Sequence, residues 1–541
     1  MAVYPTIVEL INNVSKHGKD IALKVPRMGQ SGYEEASYHE LNKWSKGLSA
    51  ALQKNGIEKG DKIALIAKPR LEWAIAFYGV LRTGAVAVPM DPTLTPDEIE
   101  RLFVASDAKW VMASGEWIEK LSAMDGLKDR VETLEKFVSF DPDDTPDVTA
   151  FGQLLSETDE PQPVTCKPSD LALLMCTSGT TGDAKAVMLS QENLSSNVHN
   201  AMQVIDITPN DVLLEIAPWN HIFGVLVLLV GVFSGCRIIY TDDYKRLPEL
   251  MASNGVTILV GVPKLFHGVY DKLEQTLTAN PIKNLMYKFL PKAVGKKIIE
   301  RFGGKLRFMV SGSAPLDPKV MEGFRRLGIG VIEGYGMTET SPVLTACTAF
   351  NNKYGSVGTA IPTLELKIAD KDEEGIGEVV VRGPNIMQGY YKNELRTKEV
   401  IDDDGWLHTG DLGYLDSENW LFLKGRKKNV IVLESGKNVY PEEIEFQLAN
   451  IPEIEEMMVT SGQRKGVEVI KVLVYPNYEI IKEGTPKDEI RSKIWASVKE
   501  ESQKLAQFKR PKSEQDLIIV DTPFEKTSTL DIKRYLYSEA T

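Results

Sequence analysis

The sequence predicts an α/β protein: a large N-terminal domain of parallel-rich sheets with crossover helices plus a β-rich subdomain, and a small α+β C-terminal domain. Three observations carry this. Short apolar runs alternate with helix-length segments as far as Ser311, the pattern of a parallel sheet with crossover helices. Residues 355–424 change to short strands between Gly-rich turns. From Asn429 onward, strands and helices follow each other in a compact α+β order. A chain of 541 residues also exceeds one ordinary domain, so two or more packed units are expected.

Taken in order, residues 37–56 place Leu41, Trp44, Leu48 and Leu52 at helical spacing, with Gly56 closing the helix. Lys62–Ala67 reads as a strand, Glu72–Arg82 as a helix and Ala85–Pro89 as the next strand. The alternation recurs through Val212–Ala217, Ile222–Ser234, Arg237–Tyr240, Val256–Val260 and Leu306–Ser311. Residues 140–170, rich in Pro, Asp, Ser and Thr, read as an exposed connection between subdomains. Glu365–Ala369, Gly377–Arg382 and Trp420–Leu423 are the short strands of the next region. The last region has strands at Val430–Leu433, Glu456–Thr460, Val469–Tyr475 and Asp516–Val520. Its helices are at Glu442–Ala449 and Lys487–Gln503. A boundary near Arg426–Lys428 divides the chain into residues 1–426 and 427–541. No internal repeat of fixed period is visible.

The net charge of −13 argues against nucleic acid or an anionic membrane surface as the main partner. An anionic substrate then requires local cations, and the lysines within the motifs below supply them. Cys166, Cys176, Cys236 and Cys347 are widely spaced with no C-x-x-C pair, so buried free thiols are expected rather than a zinc site or a disulfide framework. The N-terminus lacks a basic segment before an apolar core, so no signal peptide is read. The longest apolar stretch, Ile222–Gly235, is shorter than the ~20 residues that span a bilayer. A cytoplasmic, reduced setting without a transmembrane segment is expected.

The chemistry begins at residues 173–185. An apolar run ends in a loop of Thr177, Ser178, Gly179, Thr180, Thr181 and Gly182, and Lys185 follows. Backbone N–H groups and hydroxyls in such a loop suit phosphate oxygens, and the lysine adds positive charge. The two glycines are too close together for a Walker A loop, and no Ser or Thr follows the lysine. A Ser/Thr/Gly surface turn would have the same composition.

Four further stretches follow in order: Glu333-Gly-Tyr-Gly-Met-Thr-Glu-Thr340, Gly405-Trp-Leu-His-Thr-Gly-Asp411, Gly425-Arg-Lys-Lys-Asn-Val-Ile431 and Lys526-Thr-Ser-Thr-Leu-Asp-Ile-Lys-Arg534. With the loop they resemble the ordered motifs of the adenylate-forming superfamily of acyl-CoA synthetases, luciferases and peptide-synthetase adenylation domains, over essentially the whole chain. Glu333–Pro342 and Val474-Tyr-Pro-Asn-Tyr478 look most like fatty acyl-CoA ligases.

That resemblance implies a two-step reaction. A carboxylate attacks the α-phosphate of ATP to give acyl-adenylate and pyrophosphate, then the thiol of coenzyme A displaces AMP. The partners implied are a small carboxylic acid, ATP and coenzyme A, with transfer to a carrier protein as an alternative. The loop would hold the β- and γ-phosphates, although Ala184-Lys185-Ala186 stands where the family usually has Pro-Lys-Gly. Tyr335, in Glu333-Gly334-Tyr335-Gly336, would stack on adenine. Thr338 would lie near the phosphates and Glu339 would coordinate Mg2+, as a hard cation favours carboxylate oxygen. Gly312, Ser313 and Ala314 resemble the segment near the adenine and acyl group. Asp411 would accept both ribose hydroxyls, which suits a carboxylate's two acceptor oxygens, and Arg426 would make a second ribose or phosphate contact. His221 resembles the histidine at the carboxylate and thiol entrance. Lys428 resembles the hinge about which a mobile C-terminal domain swings between two poses. Ser435, Gly436 and Lys437 resemble the loop lining the pantetheine path. The acyl pocket would draw on the helix from Ile222 and on Val260–Val262, Ser311–Pro315 and Gly334–Gly336.

One departure matters. The C-terminal motif usually carries a lysine at the fifth position from its threonine, where this chain has Asp531. That lysine bridges the carboxylate and the α-phosphate, so its replacement by an anion impairs adenylation. Three readings stay open: a ligase altered at Asp531, replacement of the lysine by Lys533, or an adenylate-binding protein with little turnover.

Overall fold

Sequence-distant strands gather into two large sheets and several smaller ones. The computed structural model describes residues 4–29, 31–155, 160–178, 184–434, 436–464, 466–527 and 532–537. Among these, a nine-stranded sheet runs in the order Thr359–Ala360, Val343–Ala346, Gly330–Gly336, Phe308–Ser311, Ile258–Gly261, Val212–Glu215, Arg237–Tyr240, Ile21–Pro26, Tyr33–Ser37. The five strands from Gly330–Gly336 to Arg237–Tyr240 are mutually parallel. An eight-stranded sheet centres on Lys62–Ile66, with Val86–Pro89 and Ala108–Ala113 parallel on its two sides. Ala64, Ile66, Val86, Val88 and Val111 are buried, as a sheet covered on both faces requires.

The helices start where the sequence provides caps. Ser37 and Glu40 form a capping box at Tyr38–Lys54, and Thr95 and Glu98 form another before Pro96–Ser106. Helix Ile222–Ser234 is buried on almost every side and ends at Gly235 in the left-handed conformation. No helix among the described residues is long and apolar enough to cross a membrane. The four cysteines are free; Cys236 and Cys347 are buried, whereas Cys166 and Cys176 are only half-buried.

The expected exposed connection at 140–170 is corrected in part. Val148–Ala150 adds an edge strand parallel to Lys136–Ser139, and helix Phe151–Leu155 buries Phe151 and Leu154. Phe151 meets Phe140 edge-on at 5.3 Å, so two apolar side chains override the polar composition around them.

Contacts divide the chain into two compact units. The larger contains the two large sheets. The smaller takes in Leu366–Val380 and the chain from His408 onward. Most of the four-stranded sheet, in the order Glu365–Ala369, Gly377–Arg382, Leu407–Leu415, Leu421–Arg426, belongs to it. The smaller unit also holds a three-stranded sheet in the order Ile454–Arg464, Val467–Pro476, Leu517–Ile519. That sheet shares a core with helices Pro441–Leu448 and Lys487–Glu501 through Ile444, Leu448, Val472, Val474, Ile490 and Ile494.

Candidate active site

In the larger unit, parallel register brings distant segments to one sheet edge. Glu215 pairs with Val260, Val260 with Val310 and Val310 with Ile332. One residue further along, Gly261 pairs with Ser311 and Ser311 with Glu333. The segments leaving these strand ends are therefore Ile216–His221, Val262 and Gly312–Pro315, and beside them lies Gly334–Gly336, the last part of strand Gly330–Gly336. The C-terminal edge of parallel strands is where open α/β sheets bind ligands. Two backbone features mark it. Ser313 has φ 71°, a left-handed conformation unfavourable for a side chain with a Cβ. A Cβ on Gly336 would lie 1.8 Å from the carbonyl oxygen of Pro342, so only glycine fits there.

Glu333 is buried, and its Oε1 accepts the Leu316 N–H at 2.9 Å. Burial pushes its carboxyl up to about 7, against the opposing Leu316 bond. A folded pKa above the unfolded value of 4.5 means the folded state holds the proton more tightly. That contribution to stability, about 3 kcal/mol, is complete below about pH 4.5 and is lost as pH rises to about 7. Glu333→Gln is expected to narrow the difference between denaturant midpoints at pH 5 and pH 8; an unchanged difference would show that Glu333 does not titrate between those pH values.

Glu339 lies in the one-turn helix Thr338–Thr340 with Thr338. Its Oε1 accepts the Tyr390 hydroxyl at 2.8 Å, and its carbonyl accepts the Met387 N–H at 2.9 Å. Tyr390 also carries the Lys185 Nζ at 5.2 Å from its ring centroid. One tyrosine thus touches both the loop lysine and the candidate metal ligand. Burial and the Glu339 charge raise the Tyr390 hydroxyl above its usual range, which keeps it a donor.

The turn after Glu339 is clamped by amides. Asn197 Nδ2 donates to the carbonyls of Thr340 and Val343 at 3.2 and 2.8 Å, and Asn385 Nδ2 donates to the same pair at 3.0 and 3.1 Å. Asn193 Nδ2 donates to the carbonyls of Pro384 and Ile386. Sequence reasoning missed these residues and Tyr390. A signal existed: Asn193, Asn197 and Asn200 recur at i, i+4 and i+7 on helix Gln191–Val204, and all are buried. Buried amides on one helix face need remote partners.

His221 caps helix Ile222–Ser234 by position, 3.4 Å from the Asn220 amide nitrogen. Burial lowers its pKa, with Asp91 acting in the opposite sense. Behind it, buried Glu215 accepts the Trp219 indole N–H at 2.7 Å. Its Oε2 has no hydrogen-bond partner among the described residues, and burial drives its carboxyl well above the usual range. Through its bond to Trp219, Glu215 anchors the segment that delivers His221. Gly312 lies beneath the Phe223 ring, which a Cβ would meet at 3.0 Å. Thr177 and Ser178 end strand Leu171–Ser178. Gly179, Thr180, Thr181 and Gly182 lie outside the described residues, as do Ser435 and Asp531.

In the smaller unit, Asp411 and Arg426 face each other across paired strands, with Nε to Oδ1 at 2.7 Å. Thr409 fixes this corner by donating to the Val379 carbonyl and accepting the Asp411 N–H. Glu378 receives His408, Lys427 and the Gly410 N–H. Its burial would raise the carboxyl, but Lys427 and His408 hold it below the usual range. Lys428 sits in the turn Lys427–Asn429 directly after the strand. Gly436 is left-handed, and the Lys437 ammonium lies 4.5 Å from the Phe508 ring centroid. Beside Asp531, Ile532 bridges Lys526 in antiparallel fashion, and Lys526 is ion-paired with Glu456. Lys533 Nζ is 3.9 Å from Glu525. No group of three or more His, Cys, Asp or Glu among the described residues could by itself hold a metal.

Comparison with known proteins names the class of enzyme. Residues 10–391 match the model of the AMP-binding enzyme family, and residues 428–540 match its C-terminal domain. The chain belongs to the AMP-binding enzyme family. It is 31% identical over 461 residues to the peroxisomal long chain acyl-CoA synthetase 7 of Arabidopsis thaliana. That match covers 76% of this chain, and the chain spans only 65% of the relative's length. It is 31% identical over 455 residues to 4-coumarate–CoA ligase 3 of Oryza sativa, covering 80% and 76% of the two chains. Among solved structures, ATP-bound MatB from Rhodopseudomonas palustris superposes with TM-score 0.77 at 25% identity, covering 98% of each chain.

Proposed function

We propose that the protein is an AMP-forming acid–thiol ligase that activates a carboxylic acid with ATP and transfers the acyl group to coenzyme A. The observation that carries this is the convergence of Ile216–His221, Gly312–Pro315 and Glu333–Gly336 at one parallel-strand edge. Relatives named as CoA ligases support the acceptor. In the first step a carboxylate oxygen bonds to the α-phosphorus and pyrophosphate leaves. In the second, the thiolate attacks the acyl carbon and AMP leaves with the bridging oxygen. Two anions must be held together, so cations and N–H donors dominate the assignment.

In the larger unit, Thr177–Gly182 and Lys185 hold the β- and γ-phosphates. Tyr335 stacks on adenine, with Glu333, Gly334, Gly336 and Gly312–Ala314 shaping its surroundings. His221 serves the carboxylate and thiol. Glu339 and Thr338 face the phosphates. One carboxylate fits Mg2+, which usually takes one or two protein carboxylates and completes its shell with phosphate and water; when bound, it would offset phosphate charge. Tyr390 orients Glu339, so Tyr390→Phe is expected to raise the magnesium needed for half-maximal pyrophosphate exchange about tenfold. An unchanged magnesium dependence would exclude that role.

In the smaller unit, Asp411 and Arg426 are assigned to the ribose and Ser435–Lys437 to the pantetheine path. The functional division falls between residues 426 and 427, with Lys428 at the hinge and a cytoplasmic setting for the whole. Asp531 slows adenylation. A second reading, an adenylate-binding protein with little turnover, is favoured only by Asp531. The test is product analysis with a panel of fatty, aromatic and alicyclic acids, ATP and coenzyme A. AMP and an acyl thioester formed together support the ligase; tight AMP binding without either product supports the second reading.

A further inference from the structure

Helix Pro281–Phe289 in the larger unit turns an apolar stripe to the outside. Ile282, Leu285 and Phe289 are 72%, 59% and 74% exposed, and Leu290 beyond them is 59% exposed. Their spacing of i, i+3 and i+7 puts the first three on one helix face. The stripe is not a frayed end. Asn280 caps the helix by accepting the Ile282 and Lys283 N–H groups at 2.9 and 3.1 Å. Tyr287 is buried on the opposite side, with its hydroxyl 3.0 Å from that of Tyr270 and its ring 5.4 Å from the Arg326 guanidinium. The next helix, Pro291–Arg301, is anchored by buried Val294 and Ile298. The helix is therefore held with its apolar side outward.

Charge says what covers it. Lys283 and Lys288 on this helix and Lys292, Lys296 and Lys297 on the next are all exposed. No Asp or Glu occurs from Gln275 to Ile299, in a chain whose net charge is −13. None of the five forms an ion pair among the described residues. A protein interface core is depleted in lysine. Large apolar side chains ringed by lysines are instead the composition of a helix lying in a membrane interface, with ammonium groups at the headgroups and stems along the acyl boundary. The overall negative charge does not forbid this. At physiological ionic strength it is screened beyond about 8 Å, so a segment without acidic residues of its own is governed chiefly by its lysines.

We propose that helix Pro281–Phe289 and the lysines of Pro291–Arg301 form a docking surface for an anionic lipid bilayer, on which the protein lies peripherally. This goes beyond the ligase reading and does not depend on it, because the readout is binding alone.

The test is flotation of the full chain with vesicles of phosphatidylcholine, with and without phosphatidylglycerol, at low and high salt. Binding is expected only to the anionic vesicles and is expected to weaken with salt. Lys292→Gln and Lys296→Gln should each reduce partitioning about fivefold, and Phe289→Ser about tenfold. All three sites are exposed, so the thermal unfolding midpoint should stay unchanged and separates lost docking from lost folding. No binding to anionic vesicles overturns the proposal, as does equal binding to neutral ones or indifference to the lysine substitutions. A concentration-dependent dimer abolished by Phe289→Ser, without vesicle binding, would instead make the stripe a contact between copies and overturn it equally.

Discussion

Asp531→Lys is expected to raise carboxylate-dependent ATP–pyrophosphate exchange by about three decades. The substitution changes the charge at position 531 by two units, from an anion to a cation, and on the proposed assignment this position faces the carboxylate and the α-phosphate. One unit at ~4 Å and an effective dielectric of ~20 is worth about 4 kcal/mol. Half of that per unit, allowing for solvent, gives about 4 kcal/mol in total, or about a thousandfold in rate. Lys526 is ion-paired with Glu456, and Lys533 lies 3.9 Å from Glu525. Thioester formation from supplied acyl-adenylate should change far less, since the α-phosphate has already been attacked. Comparable exchange in the two forms would mean that another group, Lys533 first, neutralises the approaching anions. Equal gains in both half-reactions would mean that Asp531 acts on the fold of the C-terminal region instead.

Asp411→Ala is expected to weaken AMP binding about a hundredfold. On the proposed assignment, two hydrogen bonds from the ribose diol to the carboxylate, at ~1.5 kcal/mol each, are lost together. The Asp411–Arg426 pair at 2.7 Å offers a competing structural role. A thermodynamic cycle separates the two. Calorimetry with AMP and 2′-deoxy-AMP should show that removing the 2′-hydroxyl costs the native protein about tenfold in affinity and costs Asp411→Ala almost nothing. An equal cost in both proteins, with a lowered unfolding midpoint for Asp411→Ala, would assign the carboxylate to the strand pair alone.

Much of the architecture is legible locally. Helix Ile222–Ser234 and strand Arg237–Tyr240 follow from an apolar run, a closing Gly235 and the next apolar run. Non-local pairing is not legible. Ile21–Pro26 lies beside Arg237–Tyr240 in the sheet, about two hundred residues apart in sequence, and nothing in either segment names its partner. The same limit applies at the candidate site. Glu333–Thr340 and Gly405–Asp411 stand out because their glycines, hydroxyls and carboxylates are dense and ordered. Tyr390 does not stand out, because its importance lies in touching Glu339 and Lys185, which only the fold brings to it. Asn197 and Asn385 act on backbone carbonyls, which leave no trace in side-chain pattern. Glu215 reads as one polar residue in an apolar strand until its burial and its bond to Trp219 are seen.

The most direct measurement is isotope transfer from a fatty acid labelled with 18O in both carboxylate oxygens, incubated with ATP and coenzyme A. Attack of the carboxylate on the α-phosphorus predicts that AMP retains one labelled oxygen and the thioester the other, in both the native chain and Asp531→Lys, at different rates. Unlabelled AMP, or ADP with label in inorganic phosphate, would contradict formation of an acyl-adenylate.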